Sequence, residues 1–256
     1  QGLLTSDGDF WRRQRRIAQP AFRKGTIASF AKTMADCANA MCAKWENTFL
    51  NIPDYDLYDE MMRVTLRVVG ETLLGQDVSD ASSKVGVALE HAIHITNKRV
   101  VRPFDIPTWL PTPENIKLKR AIDDLDEVVQ RIIDTERANT EPSNTLLSML
   151  LHAKDPETQE SMSDRQLRDE VLIMFVAGHE TTANTLAWFW YNIATHPEIA
   201  AKISAEVHQT YAERPLEDLS AISELTYTTA AIEETMRLYP PGWWFARIAQ
   251  EDDTIR

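Results

Sequence analysis

The sequence has little cysteine, and its two cysteines are poorly placed to act together. Cys37 and Cys42 are the only ones in 256 residues. On a helix, a spacing of five residues turns the two side chains about 140° apart, so we expect neither a disulfide nor a shared metal site. Unpaired cysteines are typical of a reducing compartment, which predicts a cytoplasmic location.

An excess of basic residues is also missing. Lysine and arginine number 27 against 39 aspartates and glutamates, for a formal net charge of -12. General binding to nucleic acid requires a cationic surface, so the composition argues against that function. The hydrophobic content of 43% and the charged content of 26% are those of a globular chain. The sequence contains no internal repeat, low-complexity tract or domain linker.

Neither end of the sequence carries a recognisable boundary. It opens on Gln1 rather than methionine, shows no signal peptide or membrane anchor, and stops at Arg256 without a tail. We therefore expect residues 1–256 to be the central part of a single domain that is truncated at both ends. A targeting segment or an anchor can then lie outside them.

Apolar residues recur at spacings of three and four through most of the chain, which predicts a mainly α protein. The longest predicted helix starts at Ser163, which forms a capping-box pattern with Gln166, and ends near His196, before Pro197. Only Trp243–Ile248 has a β-like composition, which predicts minor β structure near the carboxyl end. The other predicted helices cover residues 9–24, 27–49, 57–74, 81–98, 114–138, 144–153, 197–212, 216–222 and 226–238.

A proline-rich stretch interrupts the helices at residues 102–113. Proline lacks an amide donor, so four prolines in so short a span predict a loop. Phe104, Trp109 and Leu110 make this loop unusually apolar. These side chains either pack on the protein's own core or line a substrate entrance, and the sequence favours neither alternative.

The long helix is apolar almost all round from Val171 to Ala194, as in a helix buried in a large protein or a membrane. Its centre reads Gly178-His179-Glu180-Thr181-Thr182. Charge is costly in the middle of a membrane, so these residues argue against a membrane span. Burial of a carboxylate such as that of Glu180 is also unfavourable without a partner, which indicates that the centre of the helix has a function.

Three residues in this centre predict a groove that holds water and passes protons. Gly178 lacks a side chain, so a flat ligand can approach the backbone there. Thr181 can donate a hydrogen bond to the carbonyl of Ala177, which bends a helix. The alternative is a polar patch that fixes the register of the helix. A zinc site is not expected, because the second histidine of the zinc-protease pattern would stand at Ala183.

The segment Ala177-Gly178-His179-Glu180-Thr181-Thr182 resembles the oxygen-binding groove motif of the cytochrome P450 family. Two further motifs of that family occur in the family's order. Trp11 and Arg15 match Trp-x-x-x-Arg, and Glu234 and Arg237 match Glu-x-x-Arg. Either pattern alone is also common on solvated helix faces. Together with the central motif they extend the resemblance over essentially the whole chain.

The resemblance implies a partial cytochrome P450 fold in which the long central helix carries the oxygen-binding groove and faces haem b. It implies that Glu234 and Arg237 form a buried, structural ion pair behind the haem. An arginine side chain can bind both oxygens of a haem propionate through two parallel N–H donors. The resemblance implies that residues of this chain make such contacts. The implied cofactor-binding residues are Trp11, Arg15, Ala177, Gly178, Thr181 and Arg247.

The activity implied by the resemblance is insertion of one oxygen atom from O₂ into a lipophilic organic substrate. Thr181 is expected to hydrogen-bond the oxygen, and Glu180 to help relay protons through water. Electrons would come ultimately from NAD(P)H through a redox partner, a ferredoxin or a flavoprotein reductase. Aromatic residues in such stretches belong to the hydrophobic core more often than to a substrate pocket, but some of them contact the substrate. The predicted substrate contacts are Phe175, Val176, Trp243, Trp244 and Phe245.

Basic residues surround the Trp-x-x-x-Arg motif. Arg12, Arg13 and Arg16 lie on the same predicted helix and can form a positively charged patch. Such a patch would attract a negatively charged electron donor. The alternative is an ordinary solvated helix face.

The sequence departs from the family pattern at the iron ligand. The family's axial cysteine lies in a loop beyond Glu-x-x-Arg, and here no cysteine follows Cys42. We expect that cysteine beyond Arg256 and no metal ligand within this chain, so that the fragment alone would be inactive. The competing hypothesis is a non-catalytic helical scaffold or regulatory protein derived from the same fold.

Overall fold

The computed structural model describes residues 2–48, 55–79, 84–100, 102 and 106–243. These parts of the chain are predominantly helical, which confirms the mainly α fold class. A π-helical turn follows α4 at Gly70–Leu74, and 3₁₀ turns lie at Gln19–Phe22 and Ala221–Glu224. The α-helices are α1 (Gly8–Ala18), α2 (Lys24–Ser29), α3 (Ala31–Thr48), α4 (Leu57–Val69), α5 (Lys84–Val100), α6 (Pro113–Ala138), α7 (Leu146–His152), α8 (Asp164–Thr195), α9 (Pro197–Tyr211) and α10 (Thr226–Leu238).

The central helix α8 begins and ends where the sequence predicts. The Ser163 side chain accepts a hydrogen bond from the amide of Gln166 at 3.3 Å. The amide of Ser163 donates to Gln166 Oε1 at 2.8 Å, which completes the predicted capping box. The helix ends at Thr195, and α9 starts at Pro197. Its 32 residues span roughly 48 Å at 1.5 Å per residue.

Several other predicted helices differ. The helix predicted over residues 27–49 is interrupted at Phe30, between α2 and α3, and the helix predicted over residues 216–222 is replaced by turns and the 3₁₀ turn at Ala221–Glu224. The helix predicted over residues 9–24 is shorter, because Pro20 lies in a 3₁₀ turn directly after α1 and cannot donate the next helical hydrogen bond. The helix predicted over residues 57–74 has the predicted ends but closes with a π-helical turn. Gly75 follows it with a φ of 74°, the left-handed conformation in which helices commonly end and which glycine adopts without strain.

The hydrophobic core lies along the amino-terminal half of α8. Leu167, Val171 and Phe175 are buried there and belong to one cluster. Helix α4 packs along the same helix nearer its centre, so α8 is in contact with several neighbours. The rest of the cluster includes Ile17 and Ala18 from α1, Val129 and Ile133 from α6, and Leu147 and Leu150 from α7.

The proline-rich loop before α6 presents its aromatic residue outward. Trp109 is 80% exposed, and Leu110 is exposed as well, so Trp109 does not pack on the core. Asn115 fixes the loop by donating to the carbonyls of Pro107 at 2.9 Å and Leu110 at 2.6 Å. Phe104 lies outside the described residues, and the substrate-entrance alternative stays a prediction.

The described residues contain little β structure. The predicted β element at residues 243–248 lies outside the described residues except for Trp243, which is not in a strand. An antiparallel bridge between Lys154 and Ser161 is the only β pairing in the described parts of the chain. It closes a short hairpin, residues 154–161, between α7 and α8. Within the same parts, no helix is long and apolar enough to cross a bilayer.

Candidate functional site

Helix α8 presents two different faces around its central motif. Phe175, His179 and Ala183, spaced four residues apart, have exposed fractions of 2%, 4% and 0%. Ala177 and Thr181 are also four residues apart, but both are exposed. Two residues of helix correspond to a rotation of about 200°, so the two rows lie on opposite sides. The motif therefore has a packed face and an open face.

Hydroxyl groups on the open face bond to the helix itself. Thr181 Oγ1 donates to the carbonyl of Ala177 at 2.5 Å, as the sequence predicts. Thr185 Oγ1 repeats this pattern one turn later by donating to the carbonyl of Thr181 at 3.0 Å. A threonine oxygen that donates its proton in this way still has lone pairs. Thr181 can therefore accept a hydrogen bond from a molecule on the open face.

Gly178 lies where α8 packs on α4. From the sequence, its missing side chain is expected to allow close approach by a flat ligand. In the structure, a Cβ atom at Gly178 would lie 3.2 Å from Val69 Cγ2 of α4. The glycine therefore permits close packing of α8 on α4, and its contacts give no support to a cofactor role. The groove expected beside it stays a prediction.

His179 is a buried residue of the packed face, for which the sequence predicts neither a zinc site nor another role. Its Nε2 lies 3.1 Å from the carbonyl oxygen of Met62 on α4, while Nδ1 has no hydrogen-bond partner. Burial lowers the pKa of His179, and the hydrogen bond to Met62 opposes that shift. The histidine thus connects α8 to α4 in its neutral form. Its position in the apolar row with Phe175 and Ala183 was the signal in the sequence.

Glu180 lies between the two faces. It is half-buried. The pKa of Tyr58, at the start of α4, is raised mainly by burial of Tyr58 itself and secondly by the negative charge of Glu180. The carboxylate is therefore near the α4 side of the helix rather than in the row of Ala177 and Thr181. Its part in proton relay stays a prediction.

Helix α1 brings together the first pair of predicted cofactor ligands. The Arg15 guanidinium lies over the Trp11 ring, 5.3 Å from its centroid. Arg15 is exposed, and Trp11 is half-buried. No carboxylate of the described residues forms an ion pair with Arg15, so its charge is available to an anion from outside this part of the chain.

The other arginines of α1 do not form a free basic patch. Each is paired with acidic side chains, so the positive charge proposed to attract an electron donor is largely neutralised. The hypothesis of a steering patch on α1 is therefore not supported. The pairs are Arg12 with Asp9 at 2.7 Å, Arg13 with Glu160 at 3.0 Å, and Arg16 with Asp155 at 2.8 Å and Glu157 at 3.1 Å.

The predicted substrate contacts separate into three groups. Phe175 is a buried member of the hydrophobic core, and its surroundings give no support to a place in a substrate wall. Val176 is exposed next to the open face. Trp243 is 74% exposed. Trp244 and Phe245 lie outside the described residues, as does Arg247, a predicted propionate ligand.

The Glu-x-x-Arg pair is formed but is not buried. Arg237 Nε lies 2.7 Å from Glu234 Oε2, and the two side chains are 66% and 54% exposed. The burial expected from the resemblance is not seen among the described residues. The neighbouring Thr235 is buried instead, and it accepts a hydrogen bond from Asn192 Nδ2 of α8 at 3.2 Å. The structural role of the pair stays a prediction.

The segment before α1 also contacts α8. The amide of Leu3 donates to Glu170 Oε2 at 3.0 Å. Gly2 is so close to α8 that an added Cβ would lie 2.6 Å from Ile173 Cδ1. Glu170 is about 12 Å along the helix from Gly178. The helix that carries Trp11 and Arg15 is thereby attached to the helix that carries the central motif.

The described residues contain no candidate metal centre. No group of three or more histidine, cysteine, aspartate or glutamate side chains lies together there. Cys37 is buried and Cys42 is exposed, and both are free thiols. Burial raises the pKa of Cys37 to about 11, so this thiol stays protonated at neutral pH and is a poor metal ligand.

Comparison with known proteins agrees with the motifs. The family model for cytochrome P450 matches residues 1–256. The chain is 34% identical to cyclooctat-9-en-7-ol 5-monooxygenase of Streptomyces melanosporofaciens, over 99% of this chain and 54% of that protein. It is 30% identical to pentalenene oxygenase of Streptomyces avermitilis, over 98% and 55% of the two chains. The bifunctional cytochrome P450/NADPH–P450 reductase ALT2 of Alternaria alternata is 28% identical, over 99% and 24%.

The chain belongs to the cytochrome P450 family. It spans about half the length of the curated relatives cited first. Membership of this family implies a haem cofactor, and two features of the structure fit one. Arg15, stacked on Trp11 and without an acidic partner among the described residues, suits a propionate. The exposed row of Ala177 and Thr181 combines a small side chain with a hydroxyl acceptor, which suits a flat ligand with a small polar molecule beside it.

Proposed function

We propose that the protein is a haem-thiolate monooxygenase that inserts one oxygen atom from O₂ into a lipophilic organic substrate. The observation that carries this proposal is the difference between the two faces of α8. The packed face anchors the helix to α4, while the row of Ala177 and Thr181 stays exposed. The family match over residues 1–256 and the oxygenases among the relatives support it.

Each residue of the site then has a defined task. Arg15 and Trp11 bind and orient haem b through its propionates, and Arg247 is a further propionate ligand. Bound haem with a thiolate ligand supplies activation of O₂. Thr181 holds a proton-bearing hydroxyl at the open face, and Glu180 exchanges protons with water beside it. Val176, Trp243, Trp244 and Phe245 are the proposed substrate contacts.

Electrons and location are further parts of the proposal. Two electrons per turnover come from NAD(P)H through a ferredoxin or a flavoprotein reductase; one similar protein is named as a fusion to its reductase.

We further propose that the protein is cytoplasmic. Both cysteines are free thiols, and free thiols are typical of a reducing compartment. Residues 1–256 form part of one haem-thiolate monooxygenase domain.

The first test is spectroscopic. The full-length protein, reduced and exposed to carbon monoxide, is expected to show the red-shifted Soret band of thiolate-ligated haem. A protein without haem would contradict the proposal and favour the competing hypothesis, a non-catalytic helical scaffold or regulatory protein of the same fold.

The second test concerns Thr181. In the full-length protein, Thr181→Ala is expected to increase the peroxide released per NAD(P)H consumed, because the hydroxyl on the open face is lost. Thr185→Ala is the matched control, since Thr185 makes the same hydrogen bond one turn later. A suitable lipophilic substrate is first selected by the shift that it causes in the haem spectrum. Equal peroxide release by both variants would remove the role given to Thr181.

A further inference from the structure

The helix that carries Trp11 and Arg15 is held by a polar contact that the family motifs do not include. Asp155, in the hairpin between α7 and α8, is fully buried. Both of its carboxylate oxygens bind Arg16: Nε donates to Oδ1 at 3.0 Å and Nη2 donates to Oδ2 at 2.8 Å. A planar arginine fork on a carboxylate fixes orientation as well as distance.

Asp155 is also the centre of the hairpin itself. Its amide donates to the carbonyl of Glu160 at 2.9 Å, and its carbonyl accepts from the amide of Gln159 at 2.8 Å. Its Oδ1 accepts a further hydrogen bond from the amide of Glu157 at 3.1 Å. The carboxylate that binds α1 is thus attached to a closed turn. Arg16 lowers the pKa of Asp155 to about 2, so the carboxylate is charged at neutral pH.

A second contact joins the same two elements. Arg13 lies one turn before Arg16 on α1 and donates to the carbonyl of Ser161 at 3.2 Å. It also lies 3.0 Å from Glu160 Oε2. The hairpin is therefore bound near both of its ends by two arginines of α1, and two points of attachment restrict the rotation of the helix about its axis.

The three sides of α1 have different surroundings. Successive residues of a helix are about 100° apart. Gln14, Ile17 and Ala18 form the buried side of α1, and Arg13 and Arg16 form the side that binds the hairpin. The remaining side holds Trp11 and Arg15. Rotation of α1 by a fraction of a turn would move Arg15 away from this side.

We propose that Asp155 is a positioning residue, which acts through Arg16 to hold α1 in the rotation that presents Arg15 and Trp11 to the haem propionates. The hairpin leads through Met162 directly into the capping box of α8. It therefore relates the helix of the propionate ligands to the helix of the oxygen groove. This inference rests on the proposed function, because it needs haem as the ligand of Arg15.

The test measures release of haem rather than turnover. Haem transfer from the full-length protein to excess apomyoglobin is followed for the wild type, Asp155→Asn and Glu157→Gln. Glu157 is the matched control, since it binds the same Arg16 from the same hairpin but is exposed. Asp155→Asn is expected to release haem about tenfold faster, about 1.4 kcal/mol. The control is expected to stay within about twofold, because exposed ion pairs contribute little.

A double-mutant cycle with Arg15→Ala separates positioning from general stability. If Asp155 positions Arg15 and Trp11, its substitution accelerates haem release less in the Arg15→Ala background than in the wild type, because one of the two contacts that it positions is already lost. Additive effects, or a lower Tm of Asp155→Asn without faster release, would overturn the inference. If Asp155→Asn does not fold, Arg16→Lys, which keeps the charge but loses the fork, takes its place with the same two outcomes.

The two proposals fail in different ways. A wild-type protein that binds no haem and shows no red-shifted band with carbon monoxide would overturn the monooxygenase proposal and this inference together. A wild type that binds haem normally, while Asp155→Asn releases it like Glu157→Gln, would overturn only the role of Asp155.

Discussion

The two faces of α8 share one helix and one motif but have opposite surroundings. On the packed face, Phe175, His179 and Ala183 are enclosed by the core and by α4. On the open face, Ala177 and Thr181 are exposed. The first row determines the stability and register of the helix, whereas we propose that the second determines its chemistry. Variants of adjacent residues can test this division.

The largest expected effect is on the packed face. Phe175→Ala removes a large side chain from the hydrophobic core, which should lower the free energy of unfolding by about 3–5 kcal/mol. Val176→Ala is the control on the neighbouring, exposed position and should cost less than about 1 kcal/mol. Urea denaturation of the full-length protein measures both. Similar losses for the two variants would contradict the division into faces.

A smaller effect concerns pH and His179. Burial lowers its pKa in the folded state, so the unfolded chain binds more protons as the pH falls below about 6.5, the ordinary pKa of histidine. Stability from the neutral histidine is therefore present above that pH and is lost below it, by at most about 1.4 kcal/mol per pH unit.

The corresponding measurement is the free energy of unfolding at several pH values between neutral and mildly acidic. His179→Gln should reduce the slope, because glutamine does not titrate. The same slope in the variant and the wild type would show that His179 does not contribute to it.

Gly178 tests how closely α8 and α4 approach. Alanine is favoured over glycine in a helix by about 1 kcal/mol, but the new methyl group would lie 3.2 Å from Val69 Cγ2. We expect Gly178→Ala to stabilise the protein more in a Val69→Ala background than in the wild type. Thermal unfolding of the four proteins in this cycle gives the coupling, and its absence would show that the two side chains do not compete for space.

The smallest effect on stability is expected on the open face. Thr181→Ala removes an exposed hydroxyl that bonds to its own helix, and surface substitutions of this kind change stability by about 0.5 kcal/mol or less. The same variant should have a clear effect on peroxide release. A large loss of stability would indicate that Thr181 is packed, which would contradict the open face.

Much of the fold could be predicted from local patterns. These patterns depend on residues close in sequence: the capping box of Ser163 and Gln166, the helix end at Gly75 and the start of α9 at Pro197. The hydrogen bond from Thr181 to Ala177 is predictable for the same reason, since it joins positions one turn apart.

The surroundings of the predicted site residues could not be predicted in this way. Spacing shows which residues of α8 lie on one side, but not which side faces α4. The burial of Phe175 in the core and the contact of Gly178 with Val69 are therefore seen only in the structure. Asp155 was not identified at all, because its partner Arg16 is distant in sequence.

The sequence by itself determined most of the helices, several of their ends and the family of the protein, because helical periodicity, capping and the three motifs are properties of neighbouring residues. Only the tertiary structure decided which arginine of α1 lacks an acidic partner among the described residues, that Glu234 and Arg237 are exposed, and that Val69 takes up the space beside Gly178. Those outcomes depend on the rotation of each helix against its neighbours, and contacts between residues far apart in the chain determine that rotation.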